Sequence, residues 1–218
     1  MKLAIAFFLT LFPGTAAKLH VTIYNWANLE ADVTTPAADT LLRIFRQAGI
    51  AISIHTGDPD STEARFFTYP APPLPGQATQ AACLARREIA LTVLDSAAPG
   101  TRPAILGVAQ PLARVGLNVM VFHDRIRNTA FRQSRPHGLV LGHAIAHEIG
   151  HVLLRTNDHA DWGIMAGGWG SREFDRMPIG GLLFSRAQSQ EMQATLRGEG
   201  CPGLSQVAIP DSAPIAAG

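Results

Sequence analysis

The sequence predicts an α+β domain, and three observations support this expectation. Strand-like and helix-like segments alternate in the first part of the chain. A proline-free segment from 139 to 154 is apolar or small at almost every position, as in a helix that is covered on several sides. Farther on, a segment from 185 to 197 begins with a capping signal and predicts a second helix. A chain of 218 residues can bury the core of one such domain.

The first predicted unit is a strand, a helix and a second strand. The run from 19 to 26 alternates β-branched and aromatic residues, which is typical of a strand. Thr35 and Pro36 suit the cap and the first position of a helix from 37 to 47. The short apolar run from 50 to 54 predicts the next strand, and the β-α-β order makes the two strands parallel neighbours.

The middle of the chain predicts a loop and three further strands. Five Pro and Gly residues between 69 and 80 indicate a loop. Alternating apolar residues then predict strands at 88–94, 104–109 and 117–124. The last of these ends in a polar cluster that begins at His123.

The segment after the central helix predicts irregular structure followed by a helix. Residues 171–181 are flanked by glycines and we expect no regular element there. Ser185 and Gln188 fit a capping box for an exposed helix that Gly198 stops.

The N-terminal residues predict export. Lys2 is followed by an apolar stretch from 3 to 12 and by small residues up to Ala17, so we expect a signal peptide cleaved after Ala17. Cleavage would leave one domain at 18–201 and a tail at 202–218, rich in Pro, Ala, Ser and Gly, which we expect to be mobile. The protein is then secreted or periplasmic.

Charge and cysteine usage agree with an exported protein, which we expect to be a monomer. Without Lys2 the basic residues number 17 (18 − 1), equal to the 17 acidic residues, so nothing indicates a nucleic-acid partner. No later stretch reaches the ~20 apolar residues of a membrane span. Cys83 and Cys201 suit one disulfide in an oxidising compartment, with two unpaired buried thiols as the alternative.

The central helix carries a metal-ligand pattern. His147 and His151 are four residues apart, so both imidazoles lie on one face of the helix and reach one ion. Glu148 flanks that ion without having to bind it. In this HExxH arrangement two neutral histidines bind zinc and the carboxylate accepts a proton from water at the metal. A buried helix with ordinary hydrogen-bonded histidines is the alternative.

A catalytic zinc needs a third protein ligand, and several downstream residues qualify. His159 suits the role best, because imidazole is a good zinc ligand and the intervening residues can turn the chain back toward the ion. Asn157 tolerates the left-handed conformation that such a helix end needs. The remaining candidates are Asn157 itself, Asp158, Asp161 and Glu173, the last as a glutamate ligand on a later helix.

These motifs resemble the metzincin clan of zinc metallopeptidases, whose pattern is HExxHxxGxxH followed by a Met-turn. The resemblance implies zinc ligands at His147, His151 and His159, a general base at Glu148, and the Met-turn at Met165 within Gly-Ile-Met. It also implies a twisted mixed β-sheet with a backing helix, a central active-site helix, and a small C-terminal subdomain ending in a helix.

The sequence departs from that pattern between the second and third ligands. Leu154 stands where the pattern has glycine, and Asn157 where it has the third histidine, so His159 comes two residues late. Some metzincins add a tyrosine beside the Met-turn, but the tyrosines here are Tyr24 and Tyr69, both far upstream.

Other residues are candidates for supporting roles. His143 lies one turn before His147 on the same helix face and is a candidate partner for a ligand. His123 could donate to an oxyanion from the end of its strand. The layout of the family also implies that the strand ending near Phe122 is the edge along which an extended substrate lies.

The resulting hypothesis is an exported zinc-dependent endopeptidase that hydrolyses peptide bonds in a protein or peptide substrate. An exported zinc-binding or partner-binding protein with a protease-like fold and no catalytic activity is the alternative. A structural zinc site usually has four protein ligands and often cysteine, and neither cysteine is near the HExxH motif.

Overall fold

Five strands form one mixed sheet in the computed structural model of the chain, which describes residues 17–61, 87–111 and 118–199. The strands are β1 (Ala17–Asn25), β2 (Ile50–Gly57), β3 (Glu88–Leu94), β4 (Gly107–Ala109) and β5 (Asn118–Phe122). Their order across the sheet is β2-β1-β3-β5-β4. All neighbours are parallel except β4 and β5, which are antiparallel. The α+β class and the mixed sheet are therefore confirmed.

Five helices accompany the sheet. They are α1 (Ala31–Gln47), α2 (His123–Arg132), α3 (His137–Leu154), α4 (Ser171–Arg176) and α5 (Arg186–Arg197). Helix α3 contacts α1, α2, α5, β4 and β5. Nearly all of its side chains are buried, which confirms the prediction of a helix that is covered on several sides. No helix in the described part of the chain has both the length and the apolar character needed to cross a bilayer.

One face of the sheet packs on the helices through apolar side chains at alternate positions. Val21 pairs with Ile89, and Leu91 pairs with Val119, so these side chains lie side by side in the main core. Each of the four is at most 2% exposed. The apolar side chains of α3 belong to the same buried cluster, so burial of this common core holds the helices and the sheet together.

Helices α1 and α3 approach closely at two glycines. A β-carbon at Gly138 would lie 2.5 Å from the Val33 carbonyl oxygen, and one at Gly142 would lie 2.6 Å from the Ala37 carbonyl oxygen. Only glycine allows this separation. The close contact also explains why α1 begins at Ala31, earlier than predicted: its first turn lies against α3. Thr35 is therefore inside the helix and does not cap it.

Two predictions about the middle of the chain are wrong. The fifth strand ends at Phe122, and His123 begins helix α2, which the sequence analysis missed. Strand β5 lies between β3 and β4, so β4 is the edge and β5 is not. Helix α2 has only Ile126 and Ala130 as buried positions, too few to mark a helix by pattern alone.

The segment after α3 is more regular than predicted. Residues Ser171–Arg176 form α4, a short helix anchored by the buried ring of Phe174. The next helix is as predicted: the Ser185 hydroxyl accepts from Gln188 N, and Gly198 ends α5 in the left-handed conformation at φ 78°.

Several predictions concern residues outside the described ranges. They are the signal peptide up to residue 16, the loop at 69–80, the pairing of Cys83 with Cys201, and the tail at 202–218.

Candidate metal centre

Helix α3 presents His147 and His151 toward one point. Their Nε2 atoms are 3.1 Å apart, and the two rings meet edge to face with centroids 4.7 Å apart. The four-residue spacing produces this geometry, because such residues lie one above the other on a helix.

Hydrogen bonds set the tautomer of both rings. His147 Nδ1 lies 2.7 Å from the Ile164 carbonyl oxygen, and His151 Nδ1 lies 2.9 Å from the Thr156 carbonyl oxygen. A carbonyl oxygen only accepts, so each Nδ1 carries the proton and each Nε2 presents a lone pair. Two lone pairs 3.1 Å apart repel each other unless a cation lies between them.

Both imidazoles are neutral near pH 7. Burial lowers the pKa of His147 to about 4, and burial also lowers the pKa of His151. Neutral imidazole is the form that binds metal, so the protein holds both rings ready for a cation without losing a proton first.

The third histidine comes from the loop after α3. The His159 ring lies 5.3 Å from that of His147 and 4.8 Å from that of His151, measured between centroids. One ligand atom from each of the three lies within 4.8 Å of the others. His159 is exposed, whereas His151 is buried, so the group has a closed side and an open side.

Two features of the loop place His159. The chain leaves α3 through Arg155, which has φ 56° and ψ 36° in the left-handed region. The left-handed residue that was predicted at Asn157 is Arg155 instead, so that prediction is wrong. Farther on, Ala160 N donates to the Met165 carbonyl oxygen at 2.8 Å, and Gly167 leaves room for the His159 ring, 3.2 Å from where a β-carbon would lie.

The other candidate ligands have different positions. Glu173 accepts a hydrogen bond from Gly170 N at 3.0 Å and caps α4. Asp158 and Asp161 do not belong to the ligand group, and no fourth His, Cys, Asp or Glu of the described residues joins it. Asn157 lines the cavity beside the group.

The donor set fits zinc. Three neutral imidazole nitrogens suit this ion, and tetrahedral geometry with Zn–N bonds of about 2.0–2.1 Å separates two ligand atoms by roughly 3.3 Å. The 3.1 Å between His147 Nε2 and His151 Nε2 is close to that value. Three protein ligands with an open side are typical of catalytic zinc, whereas structural zinc usually has four.

Among the described residues that line the cavity, Glu148 carries the one carboxylate. It is 8% exposed, lines the cavity with the histidines, and has its pKa raised to about 8 by burial. A cation beside it would favour the ionised form. Strand β4 confines it: a β-carbon at Gly107 would lie 2.9 Å from Glu148 Cγ.

Met165 packs against helix α3 at Gly150. It is 1% exposed, and its sulfur is 2.4 Å from where a β-carbon at Gly150 would be, so it packs on the α3 backbone beside His151.

His143 is buried in the helix interface and does not reach the cavity. Its Nδ1 donates to the Leu139 carbonyl oxygen at 2.8 Å, and its ring meets the ring of Trp169 edge on, with centroids 6.4 Å apart. Trp169 in turn meets the His147 ring at 5.8 Å, so His143 touches the site only through that tryptophan.

His123, the first residue of α2, lies beside the N-terminal end of α3 and far from the three histidines. Its Nδ1 is 3.4 Å from Asp95 Oδ1, and its ring stacks on that of His137 at 5.0 Å. His137 precedes His147 by ten residues, about 15 Å along the helix. His123 is not among the residues that line the cavity, so no contact supports its role as an oxyanion donor.

Trp169 is a site residue that the sequence analysis missed. Its Nε1 donates to the Ile164 carbonyl oxygen at 3.2 Å, the same oxygen that accepts from His147 Nδ1. A single tryptophan among the glycines at 167, 168 and 170 was the feature of the sequence that could have indicated this residue.

The ligand group opens into a cavity of about 710 Å³. Residues 104–109 form one wall, and the segment 166–169 forms another. The volume suits several residues of an extended chain, and β4, the edge strand, lies along it.

The chain has an archaemetzincin-like peptidase fold, with a histidine triad that could bind metal. Two solved structures are similar. The zinc-dependent peptidase from Methanocorpusculum labreanum is 14% identical at TM-score 0.50, with 79% of this chain and 99% of that chain covered. Archaemetzincin from Methanopyrus kandleri is 14% identical at TM-score 0.50, with 85% and 99% covered.

Neither a protein-family profile nor a curated protein sequence matches the chain.

Proposed function

We propose that this protein is an exported zinc-dependent endopeptidase in which His147, His151 and His159 hold the metal. The observation that carries the proposal is the three-histidine group with Glu148 beside it in an open cavity. The similarity in fold to zinc-dependent peptidases supports it.

Different residues have different roles in the proposed hydrolysis. When bound, zinc supplies a Lewis acid that activates water and polarises a carbonyl group. Glu148 accepts the proton of the attacking water and passes it to the leaving amine. Its buried position beside Gly107 keeps the carboxylate close to the cavity and restricts its movement. The carbonyl oxygens of Ile164 and Thr156 orient the two helix ligands through their Nδ1 protons.

A peptide is the substrate that the cavity fits best. Strand β4 has β5 on one side only, and within the described residues no strand pairs with its other side. An extended peptide can add to such an edge through backbone hydrogen bonds. Gly107–Ala109 line the cavity, so a peptide bound there would pass the ligand group and Glu148.

Metal content and cleavage test the proposal together. Purified protein should hold one zinc per chain and cleave casein, and a chelator should abolish the cleavage. Glu148→Gln should retain zinc and lose at least a hundredfold in rate, because the general base is removed while the ligands stay. His159→Ala should lose zinc stoichiometry.

Two outcomes would contradict the proposal. Zinc bound at full occupancy without cleavage of casein or of a broad peptide mixture would favour a binding protein with this fold. Full zinc stoichiometry in His159→Ala would remove His159 from the ligand set. The control is Asp161→Asn, since Asp161 lies near His159 in sequence but outside the ligand group.

Export has its own test. The processed protein recovered outside the cytoplasm should begin at Lys18, as cleavage after Ala17 requires. An N-terminus at Met1 in that fraction would contradict the signal-peptide prediction.

A further inference from the structure

The charges that line the cavity are mostly positive. Among the described residues that line it, the charged side chains apart from histidine are Arg102, Arg132 and Glu148. Glu148 is buried beside the ligand group, whereas both arginines are exposed. The exposed part of the lining therefore carries two guanidinium groups and, among the described residues, no second carboxylate.

Neither arginine is neutralised by an acidic partner within the described ranges. The ion pairs there join Arg135 with Asp175, Arg197 with Glu199, and His123 with Asp95. Arg132 donates only to the Thr129 hydroxyl at 3.4 Å, a neutral group on its own helix. Both guanidinium groups thus keep their capacity to bind an anion.

Both arginines stand on segments that the fold holds together. Arg132 is in the last turn of α2, which is anchored by the buried side chain of Ala130. Arg102 precedes β4, and its carbonyl oxygen accepts a hydrogen bond from Arg125 of α2 at 2.5 Å. Arg125 also donates to the Ile105 carbonyl oxygen at 3.0 Å, so this loop is tied to α2.

The wall beside Arg132 is neutral or apolar. Thr129 of the same helix and Gln133 just after its end line the cavity, and Phe174 and Trp169 line it from the segment after α3. Asp175, next to Phe174, is paired with Arg135 and is not among the residues that line the cavity. An anionic group that enters here meets donors and no competing carboxylate from these residues.

We propose that Arg102 and Arg132 select peptide substrates that carry a carboxylate near the scissile bond. This inference rests on the proposed peptidase function and names its substrate class. The carboxylate comes from an Asp or Glu side chain or from the C-terminus of a short peptide. Guanidinium groups bind either one through charge-assisted hydrogen bonds.

A cleavage profile provides the first test. Zinc-loaded protein is incubated with a proteome-derived peptide library, and products are read by mass spectrometry. Asp and Glu, or the peptide C-terminus, should be enriched at one fixed distance from the cleaved bond. Cleavage with no such enrichment would overturn the inference and leave the proposed function standing. Absence of any cleavage would overturn both.

A matched set of synthetic peptides identifies the source of the carboxylate. The best substrate is compared with its Glu→Gln counterpart and with its C-terminal amide. Loss of the side-chain carboxylate or of the terminal one should raise KM on the order of tenfold, the size expected for a charge-assisted hydrogen bond. Equal KM for all three peptides would overturn the inference.

Variants of Arg102 and Arg132 test whether these two residues cause the preference for a carboxylate. Arg132→Gln and Arg102→Gln should each reduce the difference between the charged and the neutral peptide, while kcat/KM for the neutral peptide stays within about twofold. Activity on the neutral peptide shows that the site is intact. Arg127→Gln is the control, because Arg127 is exposed on α2 but does not line the cavity. An unchanged preference in both cavity variants would overturn the assignment.

Discussion

At the scale of single residues, the centre depends on carbonyl oxygens that hold the histidines. The Ile164 oxygen accepts from His147 and also from Trp169, so one backbone group orients a ligand and a wall of the cavity together. His151 is held in the same way by Thr156. A rigid pair of imidazoles loses little freedom when a metal binds, which favours affinity.

Trp169 should therefore affect metal binding without being a ligand. We expect Trp169→Phe to weaken zinc affinity by roughly threefold to tenfold, because the ring packed edge-on against His147 becomes smaller and loses its donor. Competition with a chromophoric chelator measures the affinity. Trp162→Phe is the control, since Trp162 is 55% exposed and lies outside the cavity. Equal losses in both variants would contradict a specific role.

His143 should make the stability of the protein depend on pH. Burial, with a smaller contribution from the Arg43 charge, lowers its pKa from 6.5 to about 4, and its Nε2 has no hydrogen-bond partner among the described residues. Between pH 6.5 and 4 the unfolded chain binds a proton at this residue that the folded chain does not. The free energy of unfolding should therefore fall as the pH decreases through that range, by about 1–3 kcal/mol from this residue.

His143→Leu should remove that contribution. Urea unfolding at pH 7 and pH 4.5 should show a smaller decrease in the variant than in the wild type, because leucine does not titrate. His20→Leu is the control, since His20 is exposed on β1. The same pH dependence in His143→Leu and the wild type would contradict the explanation.

At the scale of elements, the end of α3 determines where His159 lies. Arg155 adopts φ 56°, a conformation that costs a non-glycine residue roughly 1–2 kcal/mol, and the chain then turns toward the two helix histidines. His159 comes two residues later than the third histidine of the metzincin pattern, and this turn accommodates the longer spacing.

The free energy of unfolding of Arg155 variants should depend on how easily the new residue adopts positive φ. Arg155→Val should lower the free energy of unfolding by about 1–2 kcal/mol, because β-branched residues strongly disfavour positive φ. Arg155→Gly should keep or raise it, by at most about 1 kcal/mol, because glycine adopts this conformation freely. Urea unfolding measures both. Equal stability of the two variants would show that the turn is not strained.

Helix α3 packs on Met165 through Gly150. A β-carbon there would lie 2.4 Å from Met165 sulfur and 2.8 Å from Phe184 Cε1. We expect Gly150→Ala to lower the free energy of unfolding by about 1–2 kcal/mol, because overpacking outweighs the better helix propensity of alanine. Thermal unfolding measures the change. Gly168→Ala is the control and should be neutral, because nothing lies within 4 Å of a β-carbon at that position. A stabilised Gly150→Ala would contradict this packing.

At the scale of the whole molecule, a metal ion would join α3 to the loop that follows it. His147 and His151 belong to the helix, and His159 to the loop, so an ion bound by all three links two parts of the chain. The cavity between β4 and the segment 166–169 lies against this link.

Zinc should therefore stabilise the folded protein. At a free zinc concentration of 100 times Kd, the free energy of unfolding rises by about 2.7 kcal/mol. For a chain of 218 residues this corresponds to a Tm increase of roughly 5–10 °C. Thermal unfolding with zinc and with chelator measures the difference.

Two controls define the origin of that shift. His159→Ala should lose most of it, because one ligand is missing. Calcium should not replace zinc, since it prefers oxygen ligands and the group offers imidazole nitrogen. A Tm that is unchanged by zinc in the wild type would contradict the site.

The sequence by itself determined the features that depend on local geometry. The four-residue spacing of His147 and His151 brings both imidazoles to one helix face wherever that helix packs. Alternating apolar residues indicated the strands, and the β-α-β order made β1 and β2 parallel neighbours. The capping box at Ser185 marked the start of α5 through contacts three residues apart.

Only the tertiary structure decided the features that depend on contacts distant in sequence. The position of β5 inside the sheet, with β4 as its edge, depends on pairing between strands that no local pattern specifies. The approach of His159 depends on the turn at Arg155. The arginines of the cavity and Trp169 reach it only because α2, β4 and the segment after α3 pack around the central helix, and those packing contacts are not encoded by spacing along the chain.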